Sequence, residues 1–363
     1  MARVLKDDAD MTLDTVRIQT CIDRFQKAQG LPDLQVSLGF SGQDDIHSFA
    51  GCAGATSGDP DAGYFLASAT KLFASAMIFQ LRDEGHLSLD DPITAFFPEG
   101  ALDGLHFYKG QDYTAQITVR QLLSHRAGLA DYFEQKRVDG SVFAEGMLQG
   151  QDKAWSLEDV IDANKTSLTP LFPPGAAGKA SYTDTGFQLL GGIIKAVTGQ
   201  DEATVVQTRI AGPLGLTSTG LFRRDGSTVP ALPLRMNKAP LSIPAALEST
   251  RLDGGGYSTS AEMLRFLKAF YEGALFDIAR VMQVQEYRRI FFPLRNGTGM
   301  MMFHTPWYFS PFKRQPDLLG HSGISGAFAY HAPSTGLYIS GTTNELAKRS
   351  LPYQLMIRLM SLL

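Results

Sequence analysis

The segment YFLASATKLFASAMIFQLRDE, residues 64–84, decides how the rest of the chain is interpreted. Its apolar residues recur at helical spacing and Gly85 follows as a stop signal, so it predicts a helix over 70–84. Ser68 and Lys71 stand three residues apart at the start of this helix, on one face and within side-chain reach of each other. A serine hydroxyl is a weak nucleophile until a base takes its proton. The segment therefore predicts Ser68 as a nucleophile with Lys71 as its candidate base.

The surroundings of this pair bear on whether a lysine can act as a base. A lysine accepts a proton only when it is neutral, which needs burial or a nearby cation to lower the reference pKa of about 10.4. The helix start also offers backbone N–H groups to a developing oxyanion. The same spacing recurs at Ser310-Pro-Phe-Lys313 in a predicted loop, so the spacing alone does not identify a site. Apolar residues expected to desolvate Lys71 are Phe65, Leu66, Leu72 and Phe73.

Two further motifs accompany the pair. Tyr182-Thr-Asp184 precedes a predicted helix, and a tyrosine there can serve as a second proton shuttle or as a buried structural residue. Gly320-His321-Ser322-Gly323 is predicted to open a strand whose glycines let a substrate approach the backbone. The alternative for this stretch is a bulged or tight strand start.

The order of predicted elements indicates one sheet fed from both chain ends. The strands alternate and are joined by short turns, which favours an antiparallel sheet over a doubly wound parallel one. We expect an α/β fold of the α+β kind, with a sheet domain from 1–66 and 252–363 and a mostly helical inserted domain from 67–251. The predicted helices are 13–27, 70–84, 118–124, 156–164, 185–198, 261–271 and 351–363; the predicted strands are 34–40, 45–51, 299–303, 325–332 and 336–342, with a loop over 54–63.

Composition excludes several classes of function. The 363 residues carry a net charge of −4 and 44% hydrophobic residues, so no basic field exists to attract nucleic acid. No apolar run reaches the roughly 18 residues of a membrane span. The two cysteines, Cys21 and Cys52, suit neither a disulfide framework nor a zinc site. Asp7, Asp8 and Asp10 interrupt any secretory signal, which predicts a cytoplasmic protein. We expect no metal and no cofactor.

Taken together, the motifs resemble those of the serine β-lactamase and penicillin-binding-protein superfamily. Ser68-x-x-Lys71, Tyr182-x-Asp184 and His321-Ser322-Gly323 match in order and separation, in the class C-like branch that holds family VIII carboxylesterases and D-amino-acid peptidases. The stretches 122–129 (LLSHRAGL), 182–192 and 254–260 (GGGYSTS) support the resemblance, which spans about 34–343. It implies a site in the cleft between a sheet domain and a helical domain.

The resemblance also implies a role for each matching residue. Ser68 would be the nucleophile, Lys71 the general base, and Tyr182 the relay of protons to and from the leaving group. The oxyanion hole would be formed by the backbone N–H groups of Ser68 and Ile324. Further residues implied to contact the substrate are Asp184, His321, Ser322 and Gly323.

Two positions depart from the antibiotic-degrading pattern of that superfamily. His321 stands where lysine is usual, and a histidine that is mostly neutral at pH 7 holds a substrate carboxylate less well. This favours uncharged esters or amides over β-lactams. Asp184 stands where asparagine is usual, and an ionised carboxylate near Lys71 would favour the protonated lysine. Either Asp184 points away, or it is protonated, or Tyr182 carries more of the base role.

The main hypothesis is a carboxylesterase that forms an acyl-enzyme with a small-molecule ester or amide. The alternatives are a β-lactamase or D-amino-acid peptidase or amidase, an acyltransferase, and a non-catalytic binding or scaffold protein. No Gly-x-Ser-x-Gly pentapeptide marks a Ser-His-Asp hydrolase, so His125, His304 and His331 are interpreted as structural. The aromatic loop 303–312 either lines an acyl or aryl pocket or packs at the domain junction. The sequence leaves the oligomeric state open.

Overall fold

The computed structural model describes residues 13–53, 56–226, 230–309 and 314–363. The acidic N-terminal segment, the tip of the predicted loop at 54–55 and the Ser310-Pro-Phe-Lys313 stretch lie outside these residues. The helices are α1 Thr15–Gln29, α2 Lys71–Asp83, α3 Val119–Leu123, α4 Phe143–Leu148, α5 Leu157–Thr166, α6 Thr185–Thr198, α7 Glu202–Val206, α8 Pro244–Gly254, α9 Ser260–Tyr271, α10 Ile278–Gln283 and α11 Leu351–Met360.

Most of the strands belong to a single sheet, and the others form short pairs and triplets. The strands are β1 Gln35–Phe40, β2 His47–Ala50, β3 Cys52–Ala53, β4 Thr56–Ser57, β5 Tyr64–Phe65, β6 Phe107–Tyr108, β7 Gln111–Asp112, β8 Gly220–Leu221, β9 Arg235–Met236, β10 Ala239–Pro240, β11 Gly256–Ser258, β12 Arg288–Phe291, β13 Leu294–Asn296, β14 Met301–Phe303, β15 Leu318–Ser322, β16 Ala327–Ala332 and β17 Leu337–Thr342.

The main sheet joins the two ends of the chain. Its eight strands run in the order β12-β13-β14-β15-β16-β17-β1-β2, and every pairing is antiparallel. The N-terminal strand β1 pairs with β17 from Gln35 opposite Thr342 to Phe40 opposite Leu337. The predicted fold, an antiparallel sheet fed from both chain ends, is confirmed.

Helices cover both faces of this sheet. On one face, α1 and α11 bury apolar side chains such as Ile22 and Leu355 against the strands. On the other face, α9 packs on β1 and β17, and the Ser37 and Ser260 hydroxyls lie 2.8 Å apart across this contact. Because α2 is apolar on nearly all sides, it lies in the interior, where it packs against α6 and α8. The nucleophile candidate thus sits at the start of the most enclosed helix.

Local sequence signals located several elements closely. The helix predicted over 185–198 is α6, and the helix predicted from Ser156 is α5, whose first turn Ser156 and Asp159 close with a reciprocal capping box. Strands β12 and β13 were not predicted, because their exposed arginines blur the alternation of a strand. The loop predicted over 54–63 contains the short strand β4. The domain division at 66/67 and 251/252 stays a prediction.

One strand prediction is wrong in its direction. The stretch from Gly320 to Gly323 ends β15 and does not open a strand. At Gly323 the chain leaves the sheet in a tight turn, closed by a 2.8 Å hydrogen bond from its N–H to the Ala327 carbonyl. A Cβ atom on Gly323 would lie 2.1 Å from the Leu66 carbonyl oxygen. This glycine is therefore needed so that β15 can approach the segment that carries Ser68.

In the described part of the chain, no helix combines the length and the apolar character needed to cross a bilayer.

Candidate active site

Ser68 lies in a strand–turn–helix segment that is held on both sides. The strand β5 pairs with β11, and a single 3₁₀ turn, Ala67–Thr70, then leads directly into α2. Ala67 has a φ of +44°, a left-handed conformation that residues with a side chain rarely adopt. The turn places Ser68 at the N-terminal end of α2, half-buried at the wall of a cleft.

Lys71 is fully buried directly behind Ser68. Its Nζ donates hydrogen bonds to the Asp184 carboxylate and, at 2.5 Å, to the backbone carbonyl of Asp253. The same nitrogen lies 5.1 Å from the ring centroid of Tyr182 and 5.3 Å from that of Phe187. These contacts fix the position of the ammonium group and shield it from water.

Asp184 points towards Lys71 and forms an ion pair with it. The hypothesis that this side chain points away is therefore wrong. The backbone N–H of Asp184 in turn donates to Asp131 Oδ1 at 2.8 Å, which brings a second carboxyl group next to the first. Asp184, which stands where the resembled superfamily usually has asparagine, thus contacts the candidate base directly.

Three buried carboxyl groups lie close together at this site: Asp131, Asp184 and Asp253. Burial and the charge of Asp184 raise the pKa of Asp131 to about 7 and raise that of Asp253 well above its usual range. Tyr132 Oη donates to Asp253 Oδ2 at 2.7 Å. At neutral pH the cluster consequently retains protons, so fewer than three negative charges face Lys71.

Sequence reasoning missed two members of this carboxyl cluster. The stretches 122–129 and 254–260 that support the resemblance stop short of Asp131 and Asp253 by two residues and one residue. An acidic residue directly before a glycine run was the available signal for Asp253. Its partners, however, lie far away in the sequence, because the contact between Asp253 and Lys71 joins residues 182 positions apart.

Tyr182 lies on the loop before α6, as predicted, with its hydroxyl group enclosed. Burial and, next, the charge of Asp184 raise its pKa well above the usual range, while the Ser68 hydroxyl partly opposes this shift. Among the described residues, Tyr182 Oη has no hydrogen-bond partner of normal geometry. A neutral phenol facing Ser68 can donate a proton to an atom bound in the cleft.

His321 is buried at the end of β15, with its ring centroid 6.3 Å from that of Tyr182. Burial and the charge of Lys71 lower its pKa to about 3, so the ring is neutral at pH 7. The neutral ring donates through Nδ1 to the Ser322 carbonyl at 2.9 Å. His321 therefore brings no positive charge to the position where the resembled superfamily usually has a lysine.

Ser322, Gly323 and Ile324 follow His321 along the wall of the same cleft. The Ser322 hydroxyl shares a hydrogen bond with Tyr353 of α11. Within the described ranges, the backbone N–H groups of Ser68 and Ile324 have no hydrogen-bond acceptor. Both residues line the cleft, so two free donors are available beside the Ser68 hydroxyl.

The cleft at Ser68 has two lobes that share Ser68, Phe133, Asp184 and Ile324. The smaller lobe has a cavity volume of about 40 Å³ and runs between α8 and the 132–133 segment. The larger lobe has a cavity volume of about 470 Å³ and is open to solvent. At its rim Arg349 Nη2 and Glu134 Oε1 form an ion pair at 2.7 Å.

The described aromatic residues of the loop 303–312 lie in different surroundings. Phe303 is buried in the core with its ring 4.9 Å from that of Tyr353, as expected for packing. Trp307 is 70% exposed and lines neither lobe. The aromatic wall of the larger lobe comes instead from Phe291 and Phe292, next to the strands that sequence reasoning missed.

The histidines have contacts typical of structural residues. His125 stacks on Tyr182 with centroids 4.6 Å apart and accepts the Thr183 N–H at 3.2 Å. His304 contacts Asp317 at 3.0 Å, and His331 stacks on Tyr338. Within the described ranges, no group of three or more His, Cys, Asp or Glu side chains is arranged to hold a metal ion.

Comparisons with known proteins show which family the chain belongs to. The family model described as Beta-lactamase matches residues 18–356. The putative penicillin-binding protein PbpX of Bacillus subtilis is 23% identical over 69% of this chain, which spans 56% of that protein. The esterase/beta-lactamase LipL of Mycobacterium tuberculosis is 23% identical over 79% of this chain and 70% of its own length.

Among solved structures, a D-amino acid amidase from Ochrobactrum anthropi SV3 superimposes with a TM-score of 0.76 over 95% of this chain and 100% of its own. Its sequence identity is 23%, so the match shows a shared fold. The superfamily resemblance stated from the three motifs is confirmed by the family match. The chain belongs to the β-lactamase family of serine hydrolases.

Proposed function

We propose that this protein hydrolyses small, uncharged carboxylic esters through an acyl-enzyme on Ser68. The observation that carries the proposal is the grouping of Lys71 and Tyr182 around Ser68, which lies at the junction of the two lobes. A hydroxyl at a helix start, a buried amine behind it and an enclosed phenol beside it provide a nucleophile and two proton-transfer groups.

In the proposed reaction, each group acts once when the acyl-enzyme forms and once when it is hydrolysed. The Ser68 hydroxyl attacks the ester carbonyl and its proton passes to the neutral amine form of Lys71, while the N–H groups of Ser68 and Ile324 stabilise the oxyanion. The C–O bond to the alcohol then breaks, and Tyr182 donates a proton to the leaving oxygen and is reprotonated through Lys71. Water attacks the acyl-enzyme by the reverse path. The raised pKa of Tyr182 supports its role as a donor in preference to a base.

The charges of the side chains at the cleft favour the binding of uncharged substrates. His321 is neutral and its Nδ1 is engaged by the Ser322 carbonyl, so it offers no cation to a substrate carboxylate. Among the described residues that line the two lobes, Arg349 is the one cation, and Glu134 already pairs with it. A β-lactam or a peptide with a free carboxylate would therefore bind with little electrostatic compensation.

A substrate panel tests this proposal. We expect turnover of p-nitrophenyl acetate and butyrate, with kcat/KM at least about 100-fold above the values for nitrocefin and for D-phenylalanine amide. Preferred turnover of nitrocefin would contradict the proposal in favour of a β-lactamase, and preferred turnover of the amide would do so in favour of an amidase. Product that partitions mainly to added methanol would instead indicate an acyltransferase.

Replacing Asp184 with asparagine is expected to extend activity to lower pH. The replacement removes the carboxylate partner of Lys71, and a neighbouring opposite charge in general favours the charged form of an amine. The acid limb of the kcat/KM profile for p-nitrophenyl butyrate should move down by about one pH unit. Asp90→Asn, at an exposed carboxylate paired with Arg120, is the matched control and should leave the limb in place. An unchanged limb in Asp184→Asn would show that this carboxylate does not control the base.

A further inference from the structure

We infer that the two lobes divide the substrate: the small lobe binds a short apolar acyl group, and the larger lobe binds a bulky or aromatic alcohol. This inference rests on the proposed function, because it assigns the two halves of an ester that Ser68 attacks. The preferred substrates would then be esters of about two to four acyl carbons with aromatic alcohols.

The small lobe suits an apolar group and little else. Its polar side chains are already engaged: Ser325 Oγ donates to the Phe65 carbonyl at 2.8 Å, and Thr250 Oγ1 donates to the Leu247 carbonyl at 2.7 Å. The two carboxyl groups in its lining are engaged as well, Asp184 by Lys71 and Asp253 by the Tyr132 hydroxyl. An acyl chain with a polar or charged substituent would therefore find few free partners there. The apolar and aromatic side chains that line it are Phe65, Tyr132, Met147, Leu234, Leu247 and Leu346.

The volume of the small lobe limits the length of the chain that it accepts. A cavity of about 40 Å³ holds roughly three waters, since one water needs about 10–15 Å³ on this measure. Three waters occupy about as much space as a chain of three or four carbons. Acetyl to butyryl groups fit this space, and longer chains would have to displace Met147 or Leu247.

The position of Tyr182 decides which half of the ester lies in which lobe. Tyr182 lines the larger lobe and not the smaller one. The leaving alcohol must take its proton from this hydroxyl as the C–O bond breaks, so the alcohol lies on that side of Ser68. Once the alcohol has left, water can enter the same open lobe and attack the acyl-enzyme from the side of Tyr182. The acyl group stays in the smaller lobe throughout.

The larger lobe offers an aromatic surface to the alcohol. Phe291 is 51% exposed, and its ring centroid lies 6.5 Å from that of Tyr182. Phe292 and Tyr353 line the same lobe. Aromatic side chains that remain exposed beside the proton donor can contact a ring of the alcohol edge-on or face-on.

Two substrate series and two variants test this division. The acyl series is p-nitrophenyl acetate, butyrate, hexanoate and octanoate; the alcohol series is ethyl and benzyl butyrate, followed by pH-stat. Met147→Ala should raise the hexanoate-to-acetate ratio of kcat/KM by about 10-fold and leave the benzyl-to-ethyl ratio unchanged. Phe291→Ala should lower the benzyl-to-ethyl ratio by about 5-fold and leave the hexanoate-to-acetate ratio unchanged, because all members of the acyl series share the same aromatic alcohol.

Each result of this experiment has a defined meaning. Leu247→Ala repeats the acyl test if Met147→Ala folds poorly, and Met282→Ala, at an exposed methionine of α10, is the control. The inference is wrong if Met147→Ala changes the benzyl-to-ethyl ratio. It is also wrong if Phe291→Ala changes the hexanoate-to-acetate ratio. Equal ratios in all variants overturn it too. A wild-type chain that hydrolyses none of the esters and takes up no fluorophosphonate at Ser68 overturns the proposed function itself.

Discussion

Replacing Ser68 with alanine is expected to lower kcat/KM for p-nitrophenyl butyrate by at least about 100-fold. The hydroxyl of Ser68 lies at the junction of the two lobes, with Tyr182 facing it and Lys71 directly behind. Without that oxygen no acyl-enzyme can form, and the oxyanion donors and pockets alone give only residual catalysis. Stopped assays at several pH values, with burst-phase analysis, measure the loss.

The controls for this variant separate chemistry from folding. Ser334→Ala, at an exposed turn serine, should keep full activity, and both variants should give the circular dichroism spectrum of the wild type. A fluorophosphonate should add its mass to the wild type at Ser68 and fail to label Ser68→Ala. Equal activity in Ser68→Ala and the wild type would show that another residue is the nucleophile. Equal inactivity, with no labelling of the wild type, would favour a non-catalytic protein.

Replacing Lys71 with methionine is expected to abolish activity and also to destabilise the fold. The variant loses the candidate base, so ester hydrolysis should fall at least as far as in Ser68→Ala. It also removes the cation from a fully buried ion pair, which typically costs about 3–5 kcal/mol. The three carboxyl groups of Asp131, Asp184 and Asp253 would then face one another with no counter-charge.

The pH dependence of this loss identifies its cause. Burial already raises the folded-state pKa values of Asp131 and Asp253 above the unfolded ones, and the loss of Lys71 removes the charge that partly offsets this shift at Asp253. Stability from such groups is present at low pH and is lost as the pH rises through the raised values. The difference in unfolding free energy between wild type and Lys71→Met should therefore grow from pH 5 to pH 8. Urea unfolding at both pH values measures it.

Lys195→Met provides the control for the urea experiment. Lys195 is an exposed lysine of α6, and its replacement should change the unfolding free energy by a few tenths of a kcal/mol at most. A deficit in Lys71→Met that is the same at pH 5 and pH 8 would show that the carboxyl cluster is not balanced by this lysine. Retained ester hydrolysis in Lys71→Met would exclude it as the base.

Local patterns in the sequence were sufficient for the nucleophile pair and for much of the architecture. Ser68 and Lys71 are three residues apart on one helical turn, so their proximity follows from helix geometry alone. The capping residue Ser156 and the apolar period of 185–198 located α5 and α6 for the same reason. The order of helices and alternating strands then predicted an antiparallel sheet built from both chain ends, which the structure confirms.

Contacts between distant residues were beyond the reach of such patterns. The direction of Asp184, left open by the sequence, depends on a contact with a residue 113 positions away. Asp131 and Asp253 join it because α6, α8 and the 131–132 segment meet behind α2, and no period in the sequence encodes that meeting. Burial, which raises the pKa of Asp131 and Asp253 and lowers that of His321, likewise exists only once these segments pack.

The two lobes of the cleft likewise arise from contacts between segments that are distant in the sequence. The sequence by itself determined which residues can react, because the spacing of Ser68 and Lys71 and the motifs at Tyr182 and His321 lie within single local segments. The tertiary structure alone decided what surrounds them: a small apolar lobe, a large aromatic one, and a phenol on one side only. Side-chain spacing acts over one helical turn, whereas the shape and polarity of a pocket depend on segments that only the folded core brings together.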